Sequence, residues 1–170
     1  MLGVEKSVPS IRILPTEQYF ALVRQQLSEN GQAFVRVTGN SMWPLLHHLR
    51  DGVIIVPSRS VQQGDIVLFD RQNGRYALHR VICAGENGFI MAGDHQWHVE
   101  KDLPYNQIIG VVAAIQRKGR LIPRENFFQR IYARMMATLA FPRIRIRNAL
   151  VKLVKPFIRP GNTPGEGANS

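Results

Sequence analysis

The sequence predicts a mainly β, antiparallel domain with one helix before it and basic helices after it. Three observations carry that prediction. Between residue 33 and about residue 122 the chain runs in short β-branched and aromatic segments: AFVRVTG, GVIIVPS, DIVLFDR, RYALHRVICA, GFIMAG and IIGVVAAIQ. Turn-forming pairs lie between them, Asp51-Gly52, Gly64-Asp65, Asn73-Gly74 and Asn87-Gly88, and no helical pattern intervenes, so neighbouring strands run antiparallel. Of 170 residues, 45% are hydrophobic and 20% charged, which suits one compact domain rather than several.

Taken in order, residues 16–30 read as a helix. Phe20, Val23 and Leu27 recur at helical spacing, Thr16 is the candidate N-cap, and Gly31 fits the C-terminal cap. Residues 1–32 are thus an N-terminal extension with a helix, and 33–122 the β domain. After Pro123, ENFFQRIYARMMATLAF places Phe127, Phe128, Ile131, Met135 and Leu139 near one face. Pro142 is expected to interrupt this helix, and RIRIRNALVKLVK resumes it, giving a basic amphipathic helical segment over 123–158. The tail RPGNTPGEGANS, 159–170, is rich in glycine, proline and polar residues and predicts disorder. No internal repeat is visible.

The formal net charge is +10, and its location is informative. Residues 1–116 hold ten Lys+Arg and ten Asp+Glu, whereas residues 117–159 hold twelve Lys+Arg and one acid, Glu125. A segment with that excess seeks anions. Cationic residues beside an apolar stripe suit an anionic membrane surface, contacted through residues 124–158. Nucleic acid is not the expected partner, because Phe127, Phe128 and Tyr132 precede the charge-dense part instead of interleaving with it. No run approaches the roughly 20 apolar residues of a spanning helix, and the N-terminus lacks the apolar core of a signal peptide. The expected location is therefore cytoplasmic, leaning on the inner face of a membrane. The single cysteine, Cys83, excludes an internal disulfide framework and a cysteine-rich zinc site, and its apolar surroundings predict a small buried hydrophobe.

One stretch asks for chemistry. VTGNSMWPLL, residues 37–46, sets Ser41 after Gly39-Asn40 and before Met42, Trp43 and Pro44. A turn serine is one reading; a positioned nucleophile is the other, and it needs a base. Of the five histidines, His47 and His48 read as a solvated pair. His79 lies inside the strand YALHRVI, where a polar ring needs a reason to be.

Four segments then occur in one order: GNSMWPLL, QQGDIVLF, ALHRVI and AGDHQW. Together they resemble the boxes of the signal peptidase I superfamily, which includes the self-cleaving repressor peptidases, over about residues 35–113. GNSMWPLL resembles the Ser-Met-x-Pro box that carries the nucleophile. ALHRVI resembles the Lys-Arg-Val box, with His79 where the bacterial enzymes place a lysine base. The His-Arg-Val form is that of the archaeal and endoplasmic-reticulum signal peptidases, which use serine and histidine. The resemblance implies a twisted, partly closed barrel and a serine endopeptidase cleaving a peptide or protein after small residues, without a cofactor. It assigns Ser41 as nucleophile and His79 as general base, forming a dyad or, with an acid, a triad. Asp94, at the Gly-Asp position of AGDHQW, is the first choice to orient the imidazole, and Glu100 and Asp102 are alternatives. The Ser41 N–H, helped by the loop at Gly39 and Asn40, is the natural oxyanion donor. Pro44 and Trp43 would hold the serine beside an apolar groove. The chain departs from the resemblance in three places: no anchor precedes the serine box, Asp51-Gly52 stands where Gly-Asp is usual, and His95 replaces an asparagine.

Three other readings compete. A self-cleaving repressor-type peptidase needs a lysine base, a DNA-binding domain ahead of the sheet and a cleavage site before the serine; Ala84-Gly85 and Ala92-Gly93 both come after Ser41. A non-catalytic membrane-surface module rests on the basic segment alone. A zinc hydrolase would use His95 and His98 with His79 and Asp94, but no helical His-Glu-x-x-His pattern is present and GDHQWHVEK reads as a loop, so no metal site is expected.

Overall fold

Helix α1, Thr16–Asn30, lays Val23 and Leu27 into the core one turn apart and stacks Phe20 on Tyr76, ring centroids 3.7 Å apart. Gly31 ends it in the left-handed conformation (φ 68°), its N–H bonding back to the Leu27 carbonyl. The start differs from expectation. The Pro15 carbonyl accepts the first helical bond, from the Tyr19 N–H, so proline occupies the N-cap without a side-chain acceptor. Thr16 is therefore the first helical residue and not the cap. The structure, a computed structural model, describes residues 15–57, 60–72, 74–86 and 88–154. The tail over 159–170 and the first fourteen residues lie outside them.

Eight strands follow: β1 Ala33–Arg36, β2 Asp51–Val56, β3 Ile66–Asp70, β4 Tyr76–Gly85, β5 Gly88–Ala92, β6 Glu100–Leu103, β7 Ile108–Arg117 and β8 Arg120–Pro123. Every pairing is antiparallel, as short connections without crossover helices require. The order is β1-β2-β7-β3-β4-β5-β6. Strand β7 organises it: Val111 to Arg117 pair with β2 along one edge, while the other edge takes β3 at Ile108 to Val111 and β8 at Ala114 to Arg117. The mainly β, twisted antiparallel fold expected of the chain is the one it adopts. The path stops short of a closed barrel, because β1 and β6 end it without pairing to one another.

Two large apolar clusters form the core of the sheet. One joins Val23 and Leu27 of α1 to Val35, Leu46, Val53, Ile55 and Ile115; the other gathers Val67, Phe69, Val81, Phe89, Met91 and Val111. Removing a side chain such as Leu46, which is fully buried, leaves a cavity worth about 2–5 kcal/mol.

Several local expectations are corrected by tertiary contacts. Asp51-Gly52 is not a turn but the start of β2. Asp51 is fully buried and accepts hydrogen bonds from Arg50, Arg117 and the His47 N–H, and Gly52 lies under the Phe34 ring where no Cβ fits. Cys83 is exposed, because the β4–β5 register shifts between Val81 and Cys83. Strands β6 and β8 carry polar and charged residues and have no apolar alternation to announce them.

The C-terminal part is one helix, α2, Phe127–Val154, and it runs through Pro142. A proline costs a helix one donor and a steric clash, but here Ala137 and Ala140 just before it are fully buried against the sheet and hold the segment. Ala140 packs on Ile82 and Ala92, with Ile90 and Val99 beside them, and Ala133 lies over Gly64. The face that packs is thus the small-residue face. The larger side chains Phe128, Ile131, Met135 and Leu139 point to solvent.

Candidate active site

Ser41 is presented by a loop between β1 and β2 that is tied down on both sides of it. Met42 and Leu46, one helical turn apart, sink into the core at 2% and 0% exposure, and the Leu46 N–H bonds the Met42 carbonyl. On the other side the Gly39 N–H donates to His48 Nδ1 at 2.8 Å, with Gly39 at φ 100°. A third tie comes from the turn after β5, where the His95 N–H donates to the Ser41 carbonyl at 2.8 Å. Gly93 allows that approach, since a Cβ at position 93 would stand 2.5 Å from the Ser41 carbonyl oxygen. Gly93→Ala is therefore expected to push the turn off the serine loop, lowering stability by about 1–3 kcal/mol in a thermal melt. Trp43 is half-exposed, its ring edge-on to those of His47 and His95.

His79 lies on β4 opposite Val67 of β3 and is 2% exposed. Its Nδ1 is 2.8 Å from Oε1 of Glu100. Arg71 closes a fork on the same carboxylate, Nε to Oε2 at 2.8 Å and an Nη to Oε1 at 2.6 Å. Burial opposes ionisation of Glu100, but the hydrogen bonds from His79 and Arg71 outweigh it and lower the carboxyl from 4.5 to about 2. An ionised carboxylate only accepts, so in the neutral imidazole Nδ1 carries the proton and Nε2 keeps the lone pair a base needs. Ser41 and His79 line one cavity of about 510 Å³, with Val35, Leu68, Arg71 and His95 also in its wall. Among the described residues no hydrogen bond joins the Ser41 hydroxyl to the imidazole. The Ser41 N–H is likewise uncommitted among the described residues, as an oxyanion donor must be.

The acids separate. Asp94, the first choice to orient His79, instead faces the neighbouring residue on β4. Its two oxygens accept from Nε and an Nη of Arg80, each at 2.8 Å, and both side chains are 2% exposed. Adjacent strand residues point to opposite faces of the sheet, so a partner of Arg80 is on the wrong side for His79. Asp102 is exposed on β6 in a left-handed conformation (φ 54°). Glu100 is the acid that the fold brings to the histidine. Asp94 still serves the serine: through Arg80 it fastens β4 to the turn whose His95 N–H holds the Ser41 carbonyl, and Tyr132 of α2 lies 5.5 Å from the Arg80 guanidinium. Arg71 is a positioning residue that sequence reasoning passed over, and His48, read there as half of a solvated pair, is exposed yet accepts the Gly39 N–H. A single sequence offers no signal to separate them from solvated side chains. Among the described residues no group of three or more His, Cys, Asp or Glu stands close enough to hold a metal.

The Peptidase S24-like family matches the chain over residues 3–113, which spans the serine loop, the His79 strand and Glu100. The chain belongs to the Peptidase S24-like family. A search of the curated proteins found no match. Membership fixes the coarse reading, a peptidase-type β fold, and sets the geometry above on that family's scaffold.

The depressed Glu100 carboxyl also makes the site acid-sensitive. Because its folded pKa of about 2 lies below its ordinary 4.5, Glu100 contributes stability that is fully present above about pH 4.5 and lost as pH falls towards 2. Asp51 acts in the same sense: burial is outweighed by hydrogen bonds from Arg50 and Arg117 and from the His47 N–H, holding it well below the usual carboxylate range. Acid titration of the melting temperature should show the wild type and Glu100→Gln converging between pH 4.5 and 2. Parallel curves through that window would remove Glu100 from the account.

Proposed function

We propose that this chain is a serine endopeptidase in which Ser41 is the nucleophile, His79 the general base and Glu100 the orienting acid. The observation that carries the reading is the 2.8 Å contact of Glu100 with Nδ1 of His79, a residue that lines one cavity together with Ser41. In the reaction, Nε2 takes the Ser41 hydroxyl proton as the oxygen attacks a peptide carbonyl. The oxyanion settles on the Ser41 N–H, the C–N bond breaks with the proton returned to the leaving amine, and water then releases the acyl group by the same route. An imidazole does this near neutral pH without the deep desolvation that a lysine base requires. No lysine lines the cavity among the described residues, which favours the serine–histidine form over the lysine-dependent, self-cleaving one. By resemblance to the signal peptidases, the residue before the scissile bond is small, as alanine is.

The test is cleavage of a set of peptides carrying alanine or glycine at one fixed position, followed by mass spectrometry, with Ser41→Ala alongside. Cleavage after the small residue that disappears in the variant supports the proposal. Cleavage that persists in Ser41→Ala, or none by a folded wild-type chain across the set, overturns it.

A further inference from the structure

Helix α2 turns to solvent a face that its packing does not use. With its alanines against the sheet, Phe128, Ile131, Met135, Leu139 and Ile146 are exposed by 79, 51, 46, 47 and 62%. Their spacing of three, four, four and seven residues puts them in one stripe, about 27 Å long at 1.5 Å per residue. A contiguous apolar strip of that length marks an interaction surface. Its surroundings choose the partner. Arg134 and Arg145 are exposed along one flank of the stripe, Arg130 is exposed on the sheet side beside Ala137, and residues 126–154 contain no Asp or Glu. On the Arg130 side, α2 and the sheet enclose a cavity of about 900 Å³ walled by Arg124, Arg130, Arg134, Gln62 and Gln129. Arg124 pairs with Asp65 at 2.9 Å, whereas Arg130 and Arg134 have no ion pair among the described residues.

We propose that α2 lies flat in the headgroup layer of an anionic membrane, with Phe128, Ile131, Met135, Leu139 and Ile146 inserted at the acyl boundary and Arg134 and Arg145 on lipid phosphates. No helix among the described residues is long and apolar enough to cross a membrane, so the contact is interfacial. A second copy of the chain would set this cationic flank against itself. Nucleic acid would answer the arginines but leave the stripe uncovered. A membrane surface satisfies both at once, with the arginine stems lying along apolar surface and their heads among phosphates.

The experiment is co-sedimentation of the full chain with vesicles of phosphatidylcholine alone or mixed with phosphatidylglycerol, at low and raised salt. Binding should appear only with phosphatidylglycerol and fall as salt rises. Ile131→Glu and Leu139→Glu should abolish it with unchanged circular dichroism, both side chains being exposed. Arg134→Gln and Arg145→Gln should each weaken it about fivefold. If the glutamate variants fail to fold, the arginine pair and the salt series decide. Equal binding to both vesicle types, no binding to either, or binding indifferent to these variants overturns the proposal. So does a dimer in solution that Ile131→Glu dissolves, or retention by an acidic protein in place of vesicles.

Discussion

His79→Ala should lower kcat for peptide cleavage by about 10⁴- to 10⁶-fold, about as much as Ser41→Ala, because the two act as one unit and neither is useful alone. Stability should change much less. Removing the imidazole does not orphan its acid, since both oxygens of Glu100 still accept from Arg71. Paired kinetics and thermal melts check this. A small kinetic effect with an intact melt would mean that another group takes the serine's proton. A sharper version substitutes His79→Lys, the residue that the bacterial signal peptidases carry in the box this strand resembles. A lysine acts as a base only if its surroundings disfavour its charge. Here Glu100 would meet the ammonium directly and hold its proton on, so His79→Lys is expected to recover almost nothing. A base of that type needs an apolar neighbourhood, and this strand supplies a carboxylate.

The parts of this site that were legible in the sequence are those whose chemistry is local. Ser41 could be found because Met42 and Leu46 must be buried while Gly39 and Asn40 need not be, which leaves one hydroxyl at the border. His79 could be found because it interrupts an apolar strand. The acid beside His79 could not be ranked correctly, because the choice depends on register. Glu100 stands opposite Met91 in a four-residue strand, EKDL, with an irregular pairing to β5 and a left-handed residue at Asp102. No pattern in those letters announces a strand. The reading of Asp94 failed for a related reason: Arg80 follows His79 directly, and only the alternation of strand faces decides which of the two an acid from the next turn will reach. The inward face of α2 was hidden by size. Large apolar residues suggest a core, yet the residue that packs on Ile82 and Ala92 is the small Ala140.

That split between neighbouring residues makes the second large effect a comparison of two acids. Glu100→Gln should lower kcat by about 10⁴-fold, because a glutamine amide can donate to Nδ1 and so place the imidazole proton on Nε2, where the base must be empty. Its melt should shift modestly at neutral pH, with Arg71 retaining the amide oxygen as a partner. Asp94→Asn should do the reverse. It leaves the buried Arg80 guanidinium without its counter-charge at 2.8 Å, and breaking a buried pair from one side costs about 3–5 kcal/mol. For a domain of this size that is a fall in melting temperature of roughly 10 °C or more. Its effect on cleavage should be the smaller one, transmitted only through the His95 contact with the Ser41 carbonyl. If the roles came out exchanged, with Asp94→Asn catalytically dead at full stability and Glu100→Gln active, the histidine would have to turn in the working enzyme. The Arg71 fork opposes such a turn, since it fixes the carboxylate to which the imidazole is bonded.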